Sequence, residues 1–288
     1  MGTLALPRNL VDPAGRDGWT AWLAATLPAA VAHAAEQWSI TIGAPFQPGG
    51  QTAWVAPVRH ESGADLVLKV MWPHPEGAHE ADGLRAWAGH GAVLLRDALA
   101  LAGAVALLME RCVPGFPLSR RPEPEQDVII AELLRRLWIR PAGAHPFQSL
   151  QAMCEQWADR FEQQTAPGLD PGLARAGIAL LRELPASAGH QVLLCTDLHA
   201  GNVLAATRQP WLAIDPKPYV GDPAYDVLQH MLNCSDRLTA DPQALARRMA
   251  GLLDLDPARV LLWLFARCVQ ESPGWPGLGE VARRIAPA

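Results

Sequence analysis

The chain has 288 residues, half of them apolar and 18% charged, which is enough material for one large domain or two lobes and too hydrophobic for disorder. A net charge of −5 argues against nucleic acid as the main partner. The longest apolar run, residues 98–109, is too short to span a bilayer, and the five cysteines are odd in number, widely spaced and without a CxxC pair, so no membrane span, disulfide framework or zinc knuckle is expected.

The N-terminus lacks a basic stretch followed by an apolar core, so no signal peptide is expected, and the expected compartment is a reducing cytoplasm. Over residues 17–37, Trp19, Trp22, Leu23, Leu27 and Val31 recur at helical spacing. Residues 38–42 alternate like a strand, Pro48-Gly49-Gly50-Gln51 is a turn, and 52–58 is the returning strand. Residues 65–71 form a third strand, ended by Pro73 and Pro75, and a helix is predicted over about 76–88. Short strands are predicted near 93–95 and 104–110, with the apolar run 98–109 reading as a buried strand pair. Residues 111–126 hold Pro114-Gly115 and three further prolines and read as a loop. After it the pattern turns helical over 128–138, 150–164 and 171–184, with strands at 191–195 and 211–214 and helices from 223 onward. The fold class is α+β, with the outline of a protein kinase-like fold. A small β-rich N-terminal lobe with an N-terminal helix covers residues 1–111, and a larger helical C-terminal lobe covers 112–288.

The segment Leu194-Cys195-Thr196-Asp197-Leu198-His199-Ala200-Gly201-Asn202, followed by Ala213-Ile214-Asp215, carries the chemistry. A carboxylate, an amide five residues on and a second carboxylate after a hydrophobic run make up the set that phosphoryl transfer uses to orient a hydroxyl and hold magnesium on a nucleotide triphosphate. Asp197 is the candidate base, and Asn202 and Asp215 are the candidate metal ligands. Each alone would read as a turn residue; the three together are hard to explain as loop chemistry. Lys69 stands in the apolar strand 65–71, where a charge is costly unless paired. It is the candidate partner of the α- and β-phosphates, and an edge lysine facing solvent is the plainer alternative. Glu80 is its expected acid, because Glu80, Leu84 and Trp87 share one helix face; Glu76 is the rival. Gly49 and Gly50 occupy the position of a phosphate-covering loop, although a hairpin turn would look the same and no G-x-x-x-x-G-K-[ST] occurs anywhere. Glu110 and Cys112 lie on the connection that offers backbone groups to an adenine edge in kinases.

On these residues the chain resembles the aminoglycoside phosphotransferases, and within them the streptomycin 6-phosphotransferases grouped with hydroxyurea-type resistance kinases. The similarity is carried by residues 193–204, by Ile214-Asp215-Pro216-Lys217-Pro218-Tyr219-Val220-Gly221-Asp222-Pro223-Ala224-Tyr225-Asp226, and by Lys69 with Trp72-Pro73-His74. It runs from about residue 40 to the C-terminal helices. Cys195 departs from the pattern, standing where many related kinases have a histidine that supports the loop. Pro216 and Lys217 replace the usual residues after the metal-binding Asp, which rules out a flipping Phe switch.

The resemblance implies ATP and Mg2+ as cofactors and transfer of the γ-phosphoryl group to the 6-hydroxyl of streptidine. It implies a small cationic antibiotic as partner, no nucleic acid or membrane, a monomer, and a cytoplasmic location. Streptidine carries two guanidinium groups, which call for carboxylates in two-point contact. Asp159, Glu162, Asp222, Asp226, Asp236 and Glu271 are available, with Glu271 the substrate candidate beside Asp197 and a structural role expected for Asp226. Trp157, Trp263 and Trp275 are expected to pack in the core, His199 to support its loop, and His74, His79 and His90 to lie at the surface. A same-fold kinase for hydroxyurea or a metabolite, and a non-catalytic nucleotide-binding module, are the alternatives.

Overall fold

A computed structural model describes residues 4–11, 17–141, 143–164 and 168–287. The chain divides into two compact units, Met1–Gly115 and Phe116–Ala288, against the expected division after residue 111.

The first unit opens with the short helices α1 (Arg8–Val11) and α2 (Trp19–Ala21), a π-helical turn at Trp22–Thr26, and α3 (Leu27–Gln37). The strands β1 (Ile40–Ile42), β2 (Ala53–His60), β3 (Asp65–Met71), β4 (Leu95–Leu101) and β5 (Ala104–Glu110) form one sheet in the order β1-β2-β3-β5-β4, every adjacent pair antiparallel. α4 (Glu80–Trp87) follows β3. β4 is longer than the predicted 93–95 and forms with β5 the strand pair expected in the apolar run.

Side chains alternate across a strand, and the sheet uses that period to build two different faces. Trp54, Ala56, Val58, Leu66, Leu68, Val70, Ala106 and Leu108 pack with Trp19, Trp22, Leu27, Val31 and Ala34 of the N-terminal helices in one core. Lys69 alternates with Leu68 and Val70, so its side chain leaves on the other face. Indole N–H groups tie this core to distant backbone: Trp22 donates to Gly103 at 2.9 Å and Trp54 to Ala5 at 2.9 Å.

β6 (Pro114–Pro117) spans the boundary between the units. In the second unit, β8 (Val203–Ala206) and β9 (Trp211–Ala213) form an antiparallel hairpin, and β7 (Val192–Leu194) pairs antiparallel with β10 (Tyr219–Gly221). α5 (Glu123–Leu137) starts inside the predicted loop, because Pro122 and Pro124 fall at its N-cap and first turn, where a missing N–H costs nothing. α6 (Leu150–Glu162) and α7 (Pro171–Glu183) follow, then α8 (Pro223–Asp226), α9 (Leu228–Asn233), α10 (Ser235–Ala240), α11 (Pro242–Leu253), α12 (Pro257–Glu271) and α13 (Gly277–Ile285). α12 is buried from Trp263 to Val269 and packs against α7, α11 and α13. Among the described residues no helix is long and apolar enough to cross a membrane.

One buried acid gathers four of these helices. Asp127 of α5 accepts from His230 of α9 at 2.9 Å, from both terminal nitrogens of Arg237 of α10 at 3.0 and 2.8 Å, and from Arg248 of α11 at 2.5 Å. Burial alone would raise its pKa; the His230, Arg237 and Arg248 bonds outweigh that and hold the carboxyl well below its ordinary range. Cys234 also lies within 4.8 Å of the Asp127 and His230 donor atoms, but two guanidinium groups already occupy the carboxylate, so the cluster is an ion-pair node.

Candidate active site

In the first unit, Lys69 Nζ meets both carboxylate oxygens of Glu80, at 2.8 and 2.7 Å. Both residues are buried, the lysine 5% and the glutamate 1% exposed. Glu80 is the first residue of α4 and shares a buried face with Leu84 and Trp87, while the rival Glu76 sits in a 3-10 turn before the helix. A buried pair of this kind stabilises a fold weakly, since desolvation offsets most of the attraction.

Gly49 has φ +82°, and a Cβ there would fall 2.3 Å from Pro7. Asn9 donates its side-chain amide to Gly49 C=O at 3.0 Å and its backbone N–H to Pro48 C=O at 2.9 Å. The N-terminal segment thus packs on the Gly49-Gly50 turn and accounts for the first glycine locally. Glu110 closes β5; its Oε1 accepts Leu94 N–H at 2.9 Å and its own N–H donates to Leu94 C=O at 2.9 Å. Cys112 lies half-buried on the strand's exit.

In the second unit, Asp197 follows β7 on a loop held from below by Asp226. That carboxylate accepts Cys195 N–H at 3.0 Å, Thr196 N–H at 2.6 Å and the Trp138 indole N–H at 2.9 Å. Asp226 is fully buried, and burial pushes its pKa up to about 6 although the three donors act in the opposite direction. The structural role expected of Asp226 is therefore concrete: it fixes the backbone that presents Asp197. It also answers the departure at Cys195. The loop is anchored through the Cys195 backbone, and the thiol itself is buried, its pKa pushed well above the ordinary value by that burial.

Thr196 has φ +51° and Asp215 φ +53°, left-handed conformations that L residues adopt at a cost of about 1–3 kcal/mol each. Thr196 is held there by the Asp226 bond and by its own hydroxyl, which donates to Lys217 C=O at 2.6 Å. After Asp197 the buried Leu198 roots the loop, and His199 caps the short turn Ala200–Asn202, its Nδ1 accepting Gly201 N–H at 3.1 Å. Burial lowers the His199 pKa, against the Asp197 carboxylate that raises it, which keeps a neutral ring in this capping role.

Asn202 donates its amide to Asp197 C=O at 3.1 Å. Its own C=O accepts Ile214 N–H at 2.9 Å, so the β8–β9 ladder delivers Asp215 beside it. The three residues singled out by spacing thus come together in one loop cluster. With the Asn202 nitrogen spent on Asp197, its oxygen and the Asp215 carboxylate form an all-oxygen donor set of the kind a hard divalent cation takes.

Lys217 was read in the sequence as a replacement after Asp215 and as part of the run that carries the resemblance, with no role of its own. The structure puts its ammonium in an ion pair with Asp197 Oδ2. Trp138, at the end of α5, was not singled out at all. A lysine between two prolines two residues past the candidate metal ligand Asp215 was the available signal for the first; an indole 88 residues from its acceptor left none for the second.

The substrate-acid candidates are mostly engaged. Glu271 pairs with Arg267 four residues earlier at 2.9 Å, Asp159 and Glu162 both bind Arg182, and Asp222 accepts from Arg259 and Trp263 at 2.6 Å each. Trp263 is buried as expected, and Trp157 lies under the Arg267 guanidinium at 4.4 Å. Trp275 departs from the expected core position: it is 47% exposed, in the turn between α12 and α13.

Residues 38–276 match the family model of the aminoglycoside/hydroxyurea antibiotic resistance kinases. The chain is 34% identical over 284 residues to a hydroxyurea phosphotransferase of Kitasatospora aureofaciens, covering 96% of this chain and 82% of the relative. It is 33% identical over 267 residues to a streptomycin 6-kinase of Streptomyces glaucescens, covering 90% and 85%. Its fold is shared with the aminoglycoside phosphotransferase APH(4)-Ia solved with ADP and hygromycin B, at TM-score 0.60 and 16% identity over 89% of this chain and 99% of that one.

Proposed function

The chain belongs to the aminoglycoside/hydroxyurea antibiotic resistance kinase family, and from that premise we propose that it transfers the γ-phosphoryl group of ATP to streptomycin, at the 6-hydroxyl of the streptidine ring. The observation that carries the reading is the convergence of Asp197, Asn202 and Asp215 on one braced loop, with Lys69 and Glu80 paired in the first unit. A nucleotide-binding module without catalysis has no need of a positioned base, which disfavours that alternative.

Phosphoryl transfer asks a protein for position and charge more than for covalent chemistry. In this proposal Asp197 accepts a hydrogen bond from the acceptor hydroxyl and takes its proton as the oxygen attacks phosphorus. Asn202 Oδ1 and the Asp215 carboxylate would hold Mg2+. When bound, that ion neutralises charge on the β- and γ-phosphates. Lys69, oriented by Glu80, would hold the α- and β-phosphates, with the Gly49-Gly50 turn and the backbone at Glu110 and Cys112 on the nucleotide. One copy of the chain carries every residue named, so a monomer is the proposed active unit. The cytoplasm, where ATP is abundant, is the proposed compartment.

A second reading has a specific observation behind it. The hydroxyurea phosphotransferase is as similar as the streptomycin kinases, and Glu271, the candidate partner for a substrate guanidinium, already pairs with Arg267. A small neutral hydroxylated acceptor would need no such acid. Mass analysis of streptomycin and of hydroxyurea after incubation with enzyme and Mg-ATP separates the two, the expected product being streptomycin heavier by one phosphoryl group. Asp197→Ala is expected to abolish transfer, a loss of about 100-fold or more, while Mg-ATP still binds by calorimetry. Near-normal turnover in that variant would refute the assigned base.

A further inference from the structure

Lys217 has no part in the transfer described above, yet its backbone is fastened to the loop that performs it. Its N–H donates to Cys195 C=O at 2.9 Å, and its C=O accepts the Thr196 hydroxyl at 2.6 Å. Those two residues immediately precede Asp197. Pro216 and Pro218 flank the lysine; their rings set their own φ, and the second keeps Lys217 out of the helical region. The side chain then runs to Asp197 Oδ2, with the lysine 23% and the aspartate 18% exposed.

Both backbone bonds would form with any residue but proline at position 217. The ammonium is therefore not what fastens the loop, and a partly buried ion pair contributes little net stability in its place. What it acts on is the carboxylate. The segment Leu198-His199-Ala200-Gly201 contains no permanently charged cation, and His199 is committed to capping Gly201. Asp197 must work beside a nucleotide triphosphate, where two anions repel unless a fixed positive charge stands between or beside them.

We propose that Lys217 is the positioning residue of Asp197: it holds the carboxylate in one orientation and balances its charge while the acceptor hydroxyl and the anionic γ-phosphoryl group come together. This rests on the kinase reading above and adds to it a cation supplied from the loop between β9 and β10, two residues after Asp215, rather than from the catalytic loop.

The test uses the full chain with Mg-ATP and the acceptor, comparing the parent with Lys217→Met, Lys217→Gln and Lys217→Arg. The methionine and glutamine variants are expected to lose about 100-fold in kcat with KM for ATP changed less than about threefold, and to unfold within about 3 °C of the parent. The arginine variant, which restores charge, is expected to recover about tenfold over methionine. The proposal is overturned if both neutral variants keep kcat within about threefold of the parent. It is equally overturned if their loss of activity tracks a matching fall in unfolding temperature, since that is the mark of a merely structural lysine. A parent enzyme without acceptor-dependent ADP release would remove the kinase reading itself, an outcome distinct from an active parent with active variants.

Discussion

Asp226 keeps a carboxylate where burial alone would expel its charge, because three N–H groups converge on it. Its folded pKa of about 6 lies above the ordinary 3.8. Between those values the folded protein holds a proton that the unfolded chain has released, so this group's contribution to stability declines as pH rises through the window and is level above about 6. Activity runs the other way: protonation replaces an acceptor by a hydroxyl facing N–H donors, and the support of Cys195 and Thr196 loosens. The parent kcat is expected to fall as pH drops through about 6, whereas Asp226→Asn, which mimics the protonated form, is expected to be about 100-fold slower at every pH and to lack that limb. A pH–rate profile of both proteins decides it; an unchanged limb in the variant would assign it to another group. The neighbouring residues differ in how far the sequence disclosed them. Lys69 and Glu80 were legible because a lysine in an apolar strand demands a partner and helix periodicity supplies one. Lys217 was not, because its role depends on where a prolyl-flanked loop is pinned.

At the scale of elements, close approach of helices governs. A Cβ at Gly177 of α7 would fall 2.6 Å from Val269 Cβ of α12, and a valine cannot swing aside as a long side chain would. Helix propensity favours alanine over glycine by about 1 kcal/mol, but overpacking a rigid contact costs about 1–3 kcal/mol, so the clash wins. Gly177→Ala is expected to destabilise the protein by about 1 kcal/mol net, read as a lowered urea midpoint at unchanged slope. A raised midpoint would show that α7 and α12 can separate freely. The long helices and the strands β2, β3 and β5 were readable from periodicity. β6, β8 and β10 were not, since three or four residues hold too little alternation and become strands through their partners. α5 was read five residues short because prolines in a first turn look like loop until the cap is seen.

For the whole molecule, the residues proposed for the nucleotide are divided between two units, each with its own core: Lys69 and Glu80 in the first, Asp197, Asn202 and Asp215 in the second. A ligand that binds only the folded chain stabilises it by about 2.7 kcal/mol at a hundred times its dissociation constant. Saturating Mg-ATP is expected to raise the melting temperature by about 5–10 °C in the parent and in Asp197→Ala, and by much less in Lys69→Met, as scanning calorimetry would show. An unshifted parent would count against nucleotide binding altogether. The sequence by itself determined which chemical groups the protein owns and the short spacings among them, from Asp197 to Asn202 to Asp215 and from Lys69 to Glu80. Those separations are set by local chain geometry, a loop, a hairpin or a helical turn. Only the tertiary structure decided which groups are already spoken for: Trp138 on Asp226, Arg259 and Trp263 on Asp222, Lys217 on Asp197. Hydrogen bonds and ion pairs act over about 3 Å, and whether distant residues come that close is fixed by packing rather than by their order along the chain.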